Sequence, residues 1–159
     1  MLQELDLRCH CTLVDKIYLY LPPLMKLKLS VNDPIAGELP STLRFLEFTG
    51  PVESFERFWR QYVTPLKSLI SFKRDDKHHT GFIDFRGLSF PKHLSYFNVH
   101  SRFVVLDSLP DSIKKFYVGD QCQILIDPSK GESISSIRNK VLSTNYCKWG
   151  TINFEKMNP

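Results

Sequence analysis

The chain writes nearly the same ten letters three times, as LPSTLRFLEF at 39–48, FPKHLSYFNV at 90–99 and LPDSIKKFYV at 109–118. Each copy runs apolar, Pro, two free positions, apolar, two free positions, apolar, one free position, apolar. Such a repeat constrains the fold strongly, because one short unit cannot bury its own apolar face and must stack on its neighbours. Leu43, Leu46 and Phe48 fill the apolar places of the first copy, Leu94, Phe97 and Val99 those of the second, and Ile113, Phe116 and Val118 those of the third. Three more stretches carry the spacing: LQELDL with Leu2, Leu5 and Leu7, LMKLKLSVN with Leu24, Leu27 and Leu29, and WGTINF with Trp149, Ile152 and Phe154. Leu24 to Leu43 and Leu94 to Ile113 are both steps of 19 residues.

Within each unit the last two apolar residues stand two apart. They therefore share one face of a strand, while the residues between and beside them take the other. Parallel stacking of such strands pairs their backbones and leaves a continuous core beneath them, which is a solenoid. Proline ahead of the unit fits, since it lacks an amide donor and fixes the backbone where the ladder begins.

The pattern resembles the leucine-rich repeat, whose L-x-x-L-x-L-x-x-N/C is met in full by residues 24–32 and in its first six positions by the other copies. The LP and FP prefixes resemble the short, proline-marked variety of some bacterial effectors and of fungal and protist repeat proteins. The resemblance implies an α/β, irregular leucine-rich-repeat solenoid over residues 1–159, a single domain with short parallel strands on a concave face and helices or return strands on a convex one. Irregularity is expected because the place of Asn32 is taken elsewhere by His10, Pro51, Arg102, Gln121 and Met157, so no asparagine ladder runs through the chain.

A gap of 51 residues between Leu43 and Leu94 is too long for a loop. Part of it reads as a helix near 51–63, with Phe55, Phe58, Trp59 and Tyr62 at i, i+3, i+4 and i+7, Pro51 suited to its first turn and Pro65 ending it. Residues 66–86 read either as two degenerate repeats or as a hairpin, and the short step from Ile83 to Phe97 favours an irregular excursion. A second helix is expected near 132–143, where Ile134, Ile137, Val141 and Leu142 share a face, leading into a last strand at 152–154. FVVLD at 103–107 and QILID at 123–127 fit return strands.

A content of 42% hydrophobic and 13% aromatic residues is enough for a core. Acidic residues near the N-terminus and the lack of a long apolar run argue against a signal peptide or a membrane span. Cys9, Cys11, Cys122 and Cys147 are too few and too irregular for a disulfide framework, which points to an intracellular protein, cytoplasmic or nuclear, with free thiols. The charge of +4 is spread along the chain, and the most basic stretch, FKRDDKHH at 72–79, is interrupted by Asp75 and Asp76, which argues against nucleic acid.

Zinc-competent residues occur in RCHCT, but neighbours on a strand point to opposite faces, so His10 would face away from Cys9 and Cys11. His78 and His79 fit a solvated turn. No phosphate-binding glycine loop or G-x-S-x-G elbow is present, and no metal or cofactor is expected. Pairing Cys122 or Cys147 with a histidine gives an alternative, a cysteine-dependent enzyme. A basic nucleic-acid-binding domain is a third reading.

The strand face turned away from the core collects Glu4, Asp6, Arg8, Lys26, Lys28, Ser30, Phe45, Glu47, Thr49, Tyr96, Asn98, His100, Lys115, Tyr117 and Gly119. Aromatics beside charges are the mixture of interaction hot spots. Lys26, Lys28, Phe45, Glu47, Tyr96, Asn98, His100, Lys115 and Tyr117 are the expected binding residues. The expected function is a non-catalytic protein-protein interaction module, a scaffold or a substrate-recognition domain, and the resemblance also implies a ubiquitin-ligase receptor. LQELDL starts at the second residue with no polar cap before it. The chain is therefore expected to be a segment of a longer repeat protein and to self-associate through its N-terminal edge.

Overall fold

The computed structural model of the chain describes residues 2–9, 17–31, 35–50, 55–74, 81–118, 122–127 and 153–156. β1 (Glu4–Cys9), β3 (Lys26–Val31), β5 (Phe45–Thr49), β6 (Ser71–Arg74), β8 (Tyr96–Val99) and β10 (Lys115–Val118) form a six-stranded parallel front sheet in that order. Behind it, β2 (Ile17–Tyr20) pairs with β4 (Ile35–Glu38), and β7 (Phe82–Asp84), β9 (Phe103–Leu106), β11 (Gln123–Ile126) and β12 (Asn153–Lys156) form a four-stranded parallel sheet. From β1 to β11 front and back elements alternate along the chain, so the backbone winds as a solenoid. The return strands expected at 103–107 and 123–127 stand in the back sheet. The back of the described residues is built mostly of strands, and helix is limited to α1 (Phe55–Phe58) and the π-helical turn that continues it at Trp59–Val63.

The register places the apolar repeat positions in inward rows. One row is Leu5, Leu27, Leu46, Phe72, Phe97 and Phe116, and the next is Leu7, Leu29, Phe48, Arg74, Val99 and Val118. Leu24, Leu43, Leu69, Leu94 and Ile113 are buried where their units begin. Leu2 departs from this pattern: it is 53% exposed, and of the first copy only Leu5 and Leu7 pack against the core, as half-buried residues at the end of the stack.

The proline of each prefix has a distinct task. The N–H groups of Leu43, Leu94 and Ile113 donate to the carbonyls of Pro40, Pro91 and Pro110 at 3.0–3.1 Å, closing a four-residue turn into each strand. Proline suits the first place of that turn because its carbonyl accepts while no donor of its own needs a partner. Leu66 does the same for Leu69. One carbonyl per turn then accepts two successive amides of the following turn. Gln3 takes Met25 and Lys26, Met25 takes Arg44 and Phe45, Arg44 takes Ile70 and Ser71, Ile70 takes Ser95 and Tyr96, and Ser95 takes Lys114 and Lys115, all at 2.9–3.0 Å. Backbone carbonyls thus lock the repeats together at this corner. Asn32 and its equivalents, except Arg102, lie outside the described residues.

Two sequence expectations are corrected. The described residues of 66–86 form neither a hairpin nor an irregular excursion: β6 joins the front sheet between β5 and β8, and β7 joins the back sheet beside β9. The step from Ile83 to Phe97 is short because β7 is a return strand. The last strand, expected as a sixth copy of the repeat, is β12, which pairs with β11 in the back sheet. Trp149, Ile152 and the helix near 132–143 lie outside the described residues, as do residues 51–54 of the first helix.

Within that first helix Phe55, Phe58, Trp59 and Tyr62 are all buried, as their spacing requires. The π turn, closed by Thr64 N–H donating to the Trp59 carbonyl at 2.9 Å, lets Val63 join the same buried face. Phe58 stacks on Phe48 at 3.9 Å between centroids, and the Tyr62 hydroxyl donates to the Ile35 carbonyl at 2.6 Å. Gly50 has a steric reason to be glycine, because a Cβ there would strike the ring of Phe48, which Phe58 holds in place.

Candidate functional site

The outward side chains of the front sheet stand in two rows set by the strand register. The first is Glu4, Lys26, Phe45, Ser71, Tyr96 and Lys115, and the second is Asp6, Lys28, Glu47, Lys73, Asn98 and Tyr117. Eight of the nine expected binding residues occupy these rows, and His100 follows directly after β8. Ser71 and Lys73 belong to the same face, on a strand that the sequence left open between a degenerate repeat and a hairpin.

Much of the charge on this face is neutralised internally. Lys26 pairs with Glu4 at 2.6 Å, Arg8 with Asp6 at 3.2 Å, and Glu47 receives both Lys28 at 3.0 Å and Lys73 at 3.4 Å. The hydrogen bond and charge of Glu47 hold the pKa of Lys28 above its ordinary value. Exposed pairs of this kind contribute little stability. Their consequence is that β1, β3 and β5 offer no concentrated charge of one sign.

The other end differs. Lys115 is exposed and has no ion pair among the described residues. Beside it the rings of Tyr96 and Tyr117 lie 4.9 Å apart at 39°. Asn98, expected as a contact residue, is only 8% exposed, and its amide donates to the Tyr96 hydroxyl at 3.3 Å. It supports Tyr96 and presents little surface of its own. Phe45 is 42% exposed, and the small Ser71 lies between it and Tyr96 in the row. With strands about 4.8 Å apart, the two aromatics flank a notch floored by Ser71.

Arg74 fastens the far ends of the strands that carry this face. It is fully buried in an otherwise apolar row, with Nη1 donating to the His100 carbonyl at 2.9 Å and Nη2 to the Gly50 carbonyl at 3.3 Å. Its guanidinium lies 5.4 Å from the centroid of the Phe55 ring. The backbone of His100 also donates to the Arg74 carbonyl at 3.3 Å.

On the back, aspartates end successive return units. Asp84 takes Arg86 at 2.6–3.0 Å, Asp127 takes the same guanidinium at 3.4 Å, and the buried Asp107 accepts the N–H of Gly87 at 2.9 Å. Gly87 has a φ of 66°, a conformation glycine adopts readily. These contacts tie back turns together. Among the described residues no group of His, Cys, Asp or Glu is placed to hold a metal ion, and no helix is long and apolar enough to cross a membrane. His78, His79, Cys11, Cys147 and Gly119 lie outside the described residues.

Cys122 is fully buried, and burial pushes its thiol pKa up to about 12. At neutral pH it is a thiol, not the thiolate a nucleophile requires. A thiol reagent should therefore label equal numbers of sites in native wild type and native Cys122→Ser, and one site fewer in the variant once both are denatured. Labelling of Cys122 in the native chain would contradict its burial.

In comparisons with known proteins the chain matches no family model, no curated protein and no solved structure, which leaves the site to be read from its own geometry.

Proposed function

We propose that the chain is a non-catalytic protein-interaction module of leucine-rich-repeat type that binds another protein through the outer face of its front sheet, as a scaffold or as the substrate-recognition part of a larger assembly such as a ubiquitin-ligase receptor. The observation that carries this reading is the fixed row of Phe45, Ser71, Tyr96 and Lys115, which combines aromatic surface, a notch and a cation on adjacent strands. Burial of Cys122 counts against its use as a nucleophile, and the pairing of Lys26, Lys28 and Lys73 with carboxylates leaves little of the positive stripe that nucleic acid needs. An unpaired Cys122 thiol supports a reducing, intracellular setting.

The test is affinity capture from a cell lysate with wild type and with the triple variant Tyr96→Ala, Lys115→Ala, Tyr117→Ala. These side chains stand outside the core, so circular dichroism and melting should change little. The captured protein should be lost. A folded variant that keeps every wild-type partner would refute the site.

A further inference from the structure

We infer that the notch over Ser71 and the cation at Lys115 together receive an acidic peptide in the polyproline II conformation, with an apolar side chain in the notch and a carboxylate three residues further on. This rests on the interaction reading above and adds the chemistry of the partner. Ser71 stands between Phe45 and Tyr96 in the outer row, and Lys115 lies two strands beyond Ser71. Two strand spacings are about 9.6 Å, and a polyproline II chain advances about 3.1 Å per residue with three residues per turn, so side chains three apart share one face and cover the distance from notch to cation. A peptide lying across the strands would thus meet both at once.

Charge favours an acid at the second place. The carboxylates on the described outer face, Glu4, Asp6 and Glu47, all lie on β1 and β5, whereas the described outer positions of β6, β8 and β10 carry Lys73 and Lys115 and no carboxylate. Lys73 already meets Glu47, so Lys115 is the cation left for a partner. The wall of the notch is held before binding, since Tyr96 is fixed by Asn98 and by the ring of Tyr117. Such preorganisation reduces the ordering cost of association. A single unneutralised lysine suits one carboxylate better than a nucleic-acid backbone, which requires a groove of cations along its track.

The experiment selects a random-peptide display library on the full chain, on Lys115→Glu and on Ser71→Phe, with poly(dT) binding measured in parallel by fluorescence anisotropy. Wild type should enrich peptides with an apolar residue followed at i+3 by Asp or Glu. Lys115→Glu should turn that second preference to Lys or Arg and weaken a wild-type-selected peptide by about tenfold or more. Ser71→Phe should remove the apolar preference, and if its melting shows that it does not fold, the exposed Lys115→Glu change decides alone. No enrichment, enrichment without an acid at that spacing, or poly(dT) binding that Lys115→Glu abolishes would overturn the inference. In each of those cases a lysate partner lost in the triple variant would leave the interaction reading standing. Retention of every partner by the triple variant would end both.

Discussion

Replacing Trp59 with alanine is expected to remove about 3–5 kcal/mol of stability, a large share of the roughly 5–15 kcal/mol that holds an ordinary domain together. Trp59 is fully buried, and five rings surround it, with centroids at 5.0 Å to Phe72, 5.2 Å to Phe90, 5.3 Å to Phe85, 5.7 Å to Phe97 and 5.9 Å to Phe55. These come from front strands β6 and β8 and from the back of two turns, so the indole joins the two sides of the solenoid. Its Nε1–H donates to the Ser89 carbonyl at 2.9 Å, and the variant would leave that acceptor without this donor as well as a cavity. Denaturant melts should show a lower midpoint. Trp59→Phe, which fills most of the space but lacks the donor, should recover much of the loss. A cost below about 0.5 kcal/mol would be a surface value and incompatible with this packing.

Arg74→Ala should be comparably damaging, by about 3 kcal/mol or more. The change empties a core place, removes donors from the carbonyls of Gly50 and His100, and takes the cation from the face of Phe55. Arg74→Met separates these effects, since it restores bulk without restoring hydrogen bonds. It should fall between wild type and alanine, and amide exchange should quicken first at the ends of β5 and β8, where the two carbonyls lie. Equal stability of Arg74→Met and wild type would mean that the guanidinium contributes only its volume.

That same arginine explains why part of the fold was not legible in the sequence. Leu69, Phe72 and Arg74 occupy the repeat spacing, but a charged residue at the third apolar place hides the unit from a search on hydrophobicity. Its polar partners are carbonyls of other turns, and sequence spacing alone gives no sign of such contacts. The copies beginning at Leu24, Leu43, Leu94 and Ile113 were legible because each fills its places with apolar residues. Phe45, Tyr96, Lys115 and Tyr117 followed from strand alternation, which needs only local periodicity. Ser71 did not, since its importance arises from neighbours supplied by two other strands. For the same reason Asn98 read as an exposed contact, although its rows bring it against the Tyr96 and Tyr117 pair.

The carbonyl that accepts two amides from the following turn has a consequence for how such a chain can vary. Leu24 to Leu43 takes 19 residues, whereas Leu43 to Leu69 takes 26, yet the same corner bonds form in both turns at 2.9–3.0 Å. Length is therefore absorbed on the far side of the coil, where one turn uses a strand and the next a helix. Insertions and deletions there leave the pitch of the front rows unchanged. Evolution, or a protein engineer, can rewrite the rear of a turn while the spacing at which a partner meets the front stays constant.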